Sequence, residues 1–157
     1  MKKLILSSMV LLFSVSLAVA QNNGKKAEKH REAKIDLQEL PQEIQDFVSQ
    51  HFEGVAIKSA EKEKDLLNFG NGEMYEVELA NGIKLDFNKA GQVTEIESKE
   101  NVAIPRAALP SNIYAYVERN YDAQIVNWEV DSNDQEVELS DGTDLEFDKS
   151  GKFLKED

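Results

Sequence analysis

The chain contains one stretch twice. Tyr75–Val93, YEVELANGIKLDFNKAGQV, and Gln135–Phe153, QEVELSDGTDLEFDKSGKF, align without a gap and are identical at nine of nineteen positions. A unit used twice limits the folds open to a chain, because each copy must form the same supersecondary element and bury the same face. In copy one Tyr75, Val77 and Leu79 alternate with Glu76 and Glu78, while Ile83, Leu85 and Phe87 alternate with Lys84 and Asp86. A period of two marks strands with one apolar and one wet face.

The turns fix the register. A two-residue loop at Asn81-Gly82 would set Leu79 against Lys84 and mix the faces. A three-residue loop, Ala80-Asn81-Gly82, pairs Leu79 with Ile83, Val77 with Leu85 and Tyr75 with Phe87. It wants a left-handed third residue, which Gly82 supplies, and Ser140-Asp141-Gly142 repeats the device. The next turns, ending at Gly91 and Gly151, place Phe87 opposite Val93 and Phe147 opposite Phe153. These glycines have a backbone explanation and do not indicate a phosphate-binding loop.

Ahead of each pair of hairpins stands an amphipathic stripe. Leu40-Pro41 precedes Ile44, Phe47, Val48, His51 and Phe52, and Leu109-Pro110 precedes Ile113, Tyr116, Val117 and Tyr121 at an offset of 69. Both read as short helices opened by proline that need a sheet for stability. The expected fold is α+β: two tandem repeats, each a helix plus a four-stranded antiparallel meander, with the helices packed on one face of the sheet. Repeat one covers 35–100 and repeat two 101–157. Copy one carries nine extra residues within 61–74, a long hairpin whose tip holds Leu66, Leu67 and Phe69.

Residues 1–20 place Lys2-Lys3 before an apolar run ending Ala18-Val19-Ala20, the pattern of a secretory signal peptide; a membrane anchor is the competing reading. Residues 21–34 are polar and mostly basic and read as a flexible arm. Without the leader, 16 basic face 30 acidic side chains, a net charge of −14. Nucleic acid and, after signal removal, membrane are therefore not expected as partners. The chain has no cysteine, which excludes disulfides and thiolate chemistry, and its histidines, His30 and His51, suit surface or capping roles.

The wet face carries the chemistry. In copy one Glu78 faces Lys84 and Glu76 faces Asp86; in copy two Glu138 faces Asp144 and Glu136 faces Glu146. Such like-charged pairs, about 4.5–5.5 Å apart at Cβ, destabilise a sheet that has no counter-ion. A solvated, salt-screened acidic face is one reading, and a surface for a basic protein or peptide is the other. The candidate contact residues are Glu76, Asp86, Glu136, Glu138, Asp144 and Glu146, the hairpin residues Leu66, Leu67 and Phe69, and Trp128 as an aromatic anchor, with core packing beside Val126 and Val130 as its alternative. Asp131-Ser132-Asn133-Asp134 lacks the central glycine and terminal glutamate of an EF-hand and reads as a turn. No cofactor, catalytic residue or dedicated metal ligand is expected.

The residues Ile35, Leu40, Pro41, Ile44, Phe87, Asn88, Lys89 and Gly91, repeated as Ile104, Leu109, Pro110, Ile113, Phe147, Asp148, Lys149 and Gly151, form a pattern that resembles the β-lactamase-inhibitor-like, PepSY-like proteins of Bacteroides-type bacteria. The resemblance covers about residues 35–157 and implies a periplasmic or secreted protein with tandem helix-plus-sheet units. It carries no catalytic motif. The resulting expectation is an exported, non-enzymatic binding module, inhibitor-like or peptide-recognising, acting through the acidic face and the 61–74 hairpin; the alternative is a calcium-binding protein using that face.

Overall fold

The computed structural model of the protein describes residues 31–64 and 75–157. The leader, the arm to residue 30 and the hairpin tip with Leu66, Leu67 and Phe69 lie outside the described residues. In chain order the elements are β1 (Arg31–Lys34), α1 (Gln42–His51), β2 (Ile57–Lys64), β3 (Tyr75–Leu79), β4 (Ile83–Phe87), β5 (Val93–Ser98), α2 (Ser111–Asn120), β6 (Ile125–Val130), β7 (Asp134–Leu139), β8 (Asp144–Asp148) and β9 (Phe153–Glu156). The fold is α+β. Among the described residues, nine strands form one antiparallel sheet in sequence order. Arg31–Lys34 corrects the expectation of a flexible arm up to residue 34: these residues pair with Glu61–Lys64 of β2 and begin the sheet.

The glycine turns set the hairpins. Gly82 (φ 84°) donates its N–H to the Leu79 carbonyl at 3.1 Å, and Gly142 (φ 86°) donates to Leu139 at 2.9 Å. Each closes a type I turn in the left-handed region that favours glycine. Val77 consequently pairs with Leu85, and Val137 with Leu145. Every one of these four side chains is buried.

Both helices cover the apolar face. Ile44 and Val48 of α1 and Ile113 and Val117 of α2 join Val77, Leu85, Ile96, Trp128, Val137 and Leu145 in one core. Phe47 meets Phe87 edge-on with ring centres 5.6 Å apart, and Tyr116 meets Phe147 edge-on at 5.5 Å. A ten-residue helix is marginal alone, so this packing is what holds α1 and α2. Strands β5 and β6, joined through Ile96 and Trp128, carry the core across the middle of the sheet.

Register shifts interrupt the ladder in four places, at Ile57/Ser59, Asp86/Phe87, Ile125/Asn127 and Glu146/Phe147. Bulges of this kind raise local twist and bend the strand that carries the extra residue. The helix-free face hollows where β6, β7 and β8 meet.

Candidate functional site

Strand alternation sends every second side chain to the helix-free face, and the register lines those side chains up. Glu61 pairs with Glu76, Glu76 with Asp86, Asp86 with Glu95, Glu95 with Glu129, Glu129 with Glu136, and Glu136 with Glu146. Seven consecutive strands, β2 to β8, thus contribute one carboxylate each to a single row. Lys34 precedes Glu61 at one end, and Lys155 follows Glu146 at the other. Like charges directly opposite one another are unfavourable at every step, and the row repeats that step six times.

Little compensates for the charge. Lys84 Nζ sits 3.2 Å from Glu76 and 3.1 Å from Asp86, while Lys155 Nζ is 3.1 Å from Glu146. Burial alone would lower the pKa of Lys84, but attraction from Asp86 and Glu76 outweighs it and holds the ammonium charged well above its ordinary range. At the place Lys84 occupies opposite Glu78, the β7–β8 hairpin has Asp144 opposite Glu138. The only acidic pair in that position is therefore on the second hairpin, beside the hollow.

Three carboxylates in the row have unusual surroundings. Asp86 is 3% exposed. Its Oδ2 accepts from Lys84, whereas Oδ1 has no hydrogen-bond partner among the described residues. Its cross-strand neighbour Glu95 is pushed up to about 7, first by burial, then by the charge of Asp86 and the hydrogen bond that a protonated Glu95 can donate to it, and by Glu129. Burial, followed by Glu129 and Glu146, also raises Glu136.

The hollow, about 250 Å³, is lined by Asn127, Glu129, Glu136, Glu138, Asp144, Glu146 and Asp157 above Val137 and Leu145. Asn127 Oδ1 is buried without a hydrogen-bond partner among the described residues. The hollow and the row therefore offer acceptors and almost no donors. Among the described residues, no group of three or more His, Asp or Glu is arranged to hold a metal ion.

Of the residues expected at the site, Glu76, Asp86, Glu136, Glu138, Asp144 and Glu146 share this face, in the expected pairs. Trp128 does not. It is 5% exposed, lies between Ile96 and Val137 in the apolar ladder, and donates its indole N–H to Gln135 Oε1 at 3.1 Å, so it is a core residue and not a contact anchor. Sequence reasoning missed Glu61, Glu95 and Glu129. Their signal was their in-phase alternation with Ala60, Ile96 and Trp128, which becomes readable only once the strand neighbours are known. His51 lies on the other side of the molecule, its ring 4.5 Å from that of Phe47, far from any partner role on this face.

A family model described as "Putative beta-lactamase-inhibitor-like, PepSY-like" matches residues 73–155. A solved periplasmic protein of the DUF2874 family from Bacteroides vulgatus superimposes with a TM-score of 0.71 at 35% identity, covering 81% of this chain and 97% of that one. The chain belongs to the PepSY-like family. A second solved structure, from Bacteroides thetaiotaomicron and described as a "putative calcium-regulated periplasmic protein", gives 0.71 at 35% identity over 80% of this chain and 96% of its own. A third, a Bacteroides vulgatus periplasmic protein of unknown function, gives 0.70 at 31% identity over 80% and 98%. No curated protein sequence matches the chain. The solved structures it resembles are described as periplasmic, and this chain is an exported protein of the same kind. Among the described residues no helix is long and apolar enough to cross a membrane.

Proposed function

We propose that this PepSY-like protein is a non-catalytic binding module of the periplasm whose helix-free face receives a basic protein or peptide. The observation that carries the reading is the row of seven carboxylates, with a hollow at its second half lined by acceptors. Surfaces of one sign attract partners of the other and raise the rate of encounter. Two tandem units, each a helix and four strands, make the row long: the element order and the matching Val77–Leu85 and Val137–Leu145 pairs support that organisation. The 61–74 stretch, most of which lies outside the described residues, is a second contact surface in this reading.

The test is affinity capture from periplasmic extract with wild-type protein and with Glu136→Gln/Glu138→Gln/Asp144→Asn. The reading expects a basic partner retained by the wild type, eluted by moderate salt and lost from the variant. Equal retention by both proteins would overturn it.

A second reading, calcium regulation, is favoured by the description of the Bacteroides thetaiotaomicron relative. It expects a calcium-dependent rise in melting temperature that Glu136→Gln/Glu146→Gln abolishes. An identical response in variant and wild type would exclude it.

A further inference from the structure

We propose that Asp86 and Glu95 form a proton-gated subsite for one cationic side chain, a guanidinium or ammonium group of the basic partner, which enters by displacing a proton held between the two carboxyls. The inference rests on the reading above and adds where the partner's charge is seated and what it replaces.

The geometry begins with Asp86. Its side chain points to the helix-free face, because Leu85 and Phe87 on either side fill the core. It is nonetheless 3% exposed, and Oδ1 is left without a donor. A buried acceptor without a partner is costly, so such an atom calls for a proton, or for a donor that takes the proton's place once the Glu95 side chain gives way. Lys84 does not meet that need. Its ammonium is already shared between Asp86 Oδ2 and Glu76.

The groups facing the pair leave few alternatives. On β3 the neighbour is Glu76, on β4 it is Lys84, on β5 Glu95 is the direct partner, and on β6 Glu129 stands beyond Glu95. Thr94, the extra residue of the bulge, donates its hydroxyl to the Asp86 backbone carbonyl at 3.2 Å and is unavailable to the carboxylate. Two carboxyls at close quarters favour a state with one proton between them. The elevated Glu95, at about 7, agrees with this. In that state Glu95 donates O–H to Asp86 Oδ1, the orphaned acceptor is satisfied, and the pair carries one negative charge.

A guanidinium or ammonium group can take the place of that proton. It donates N–H to both carboxylates, Glu95 ionises, and its proton passes to solvent. The bulge at Asp86/Phe87 is what makes the arrangement possible, since without it Thr94 and not Glu95 would oppose Asp86. Binding and proton release are linked, so affinity rises with pH until Glu95 is ionised in the free protein.

The experiment uses the mature protein and an N-acetylated, C-amidated hexa-arginine peptide, which has no group titrating between pH 6 and 8. Calorimetric titrations in buffers of different ionisation enthalpy read the protons released. For a group at about 7, the expected result is about half a proton released per peptide at pH 7 and about a tenfold tighter affinity at pH 8 than at pH 6. Glu95→Gln should still bind, with release near zero and an affinity flat over that range, while Glu138→Gln should keep the proton release. Binding without proton release in the wild type would overturn the subsite and leave the basic-partner reading standing. Absence of binding at every pH in low salt would overturn both. Carboxyl carbon NMR of the free protein is an independent check: Glu95 titrating in the ordinary carboxylate range near 4.3 would refute the shared proton whatever the peptide does.

Discussion

Replacing Glu95 by Gln should make the folded protein more stable at pH 8 and leave it almost unchanged at pH 5. Folding lifts this carboxyl from 4.5 to about 7, so between those values the folded state binds more proton than the unfolded chain does. Stability therefore falls as pH rises through that window, and the loss is complete above about 7. A carboxylate with this behaviour destabilises the fold at neutral and alkaline pH, the reverse of one held by a salt bridge. A full conversion of that rise would give about 3.4 kcal/mol. Glu95 is only half-buried, and screening by solvent reduces the figure to about 1–2 kcal/mol. In a domain of this size that corresponds to a melting temperature about 4–8 °C higher for Glu95→Gln at pH 8. Thermal unfolding followed by circular dichroism between pH 5 and 8.5 reads it directly. Carboxylates remote from Glu95 titrate alike in both proteins and cancel in the difference. A difference in melting temperature that is the same at pH 5 and pH 8, or a less stable variant at pH 8, would refute the reasoning.

Lys84→Met should destabilise by about 1–3 kcal/mol in urea unfolding, because it leaves the Asp86 carboxylate buried beside Glu76 without its cation; adding Asp86→Asn should recover most of the loss, and a double variant no better than the single one would contradict the assignment. Gly151→Ala should cost more than Gly142→Ala. Both have positive φ, at 75° and 86°, and each substitution carries about 1 kcal/mol on that account. Only at Gly151 would the new Cβ also collide with the Asn112 side chain, so equal urea midpoints would count against the packing of α2 on the β8–β9 turn. Trp128, the only tryptophan, should emit at the short wavelengths of a buried indole and resist aqueous quenchers, and Trp128→Phe should lower stability by about 1–3 kcal/mol through lost packing and the lost bond to Gln135. Emission like that of free tryptophan would return it to the surface.

The hairpins were legible because each depends on neighbours close in sequence. Alternation around Val77 and Leu85, with a glycine in the turn, leaves one register that keeps the faces separate, and the structure adopts it. The bulges were not legible. Phe87 does oppose Val93, but the extra residue Thr94 moves Glu95 opposite Asp86, and Leu154 likewise moves Lys155 opposite Glu146. One inserted residue changes which charges meet without changing the apolar pattern. The pairing of β5 with β6 was out of reach for another reason: residues 99–124, including α2, separate them, so no turn sets their register. The row therefore became continuous only in three dimensions. The offset between the two copies also changes by one residue where five residues separate α1 from β2 but four separate α2 from β6. Ile57 and Ile125 thus hold the same place, opposite Leu79 and Leu139. Strand β1 was hidden because Arg31–Lys34 has no apolar alternation to announce it.

The most direct test of the acidic face as a docking surface is side-chain carboxyl NMR of the mature protein titrated with the hexa-arginine peptide at low salt. The account predicts shifts concentrated in Glu76, Asp86, Glu95, Glu129, Glu136 and Glu146, with Glu43 on α1 and Glu118 on α2 unmoved. Shifts spread evenly over both sides of the molecule, or confined to the helices, would contradict it.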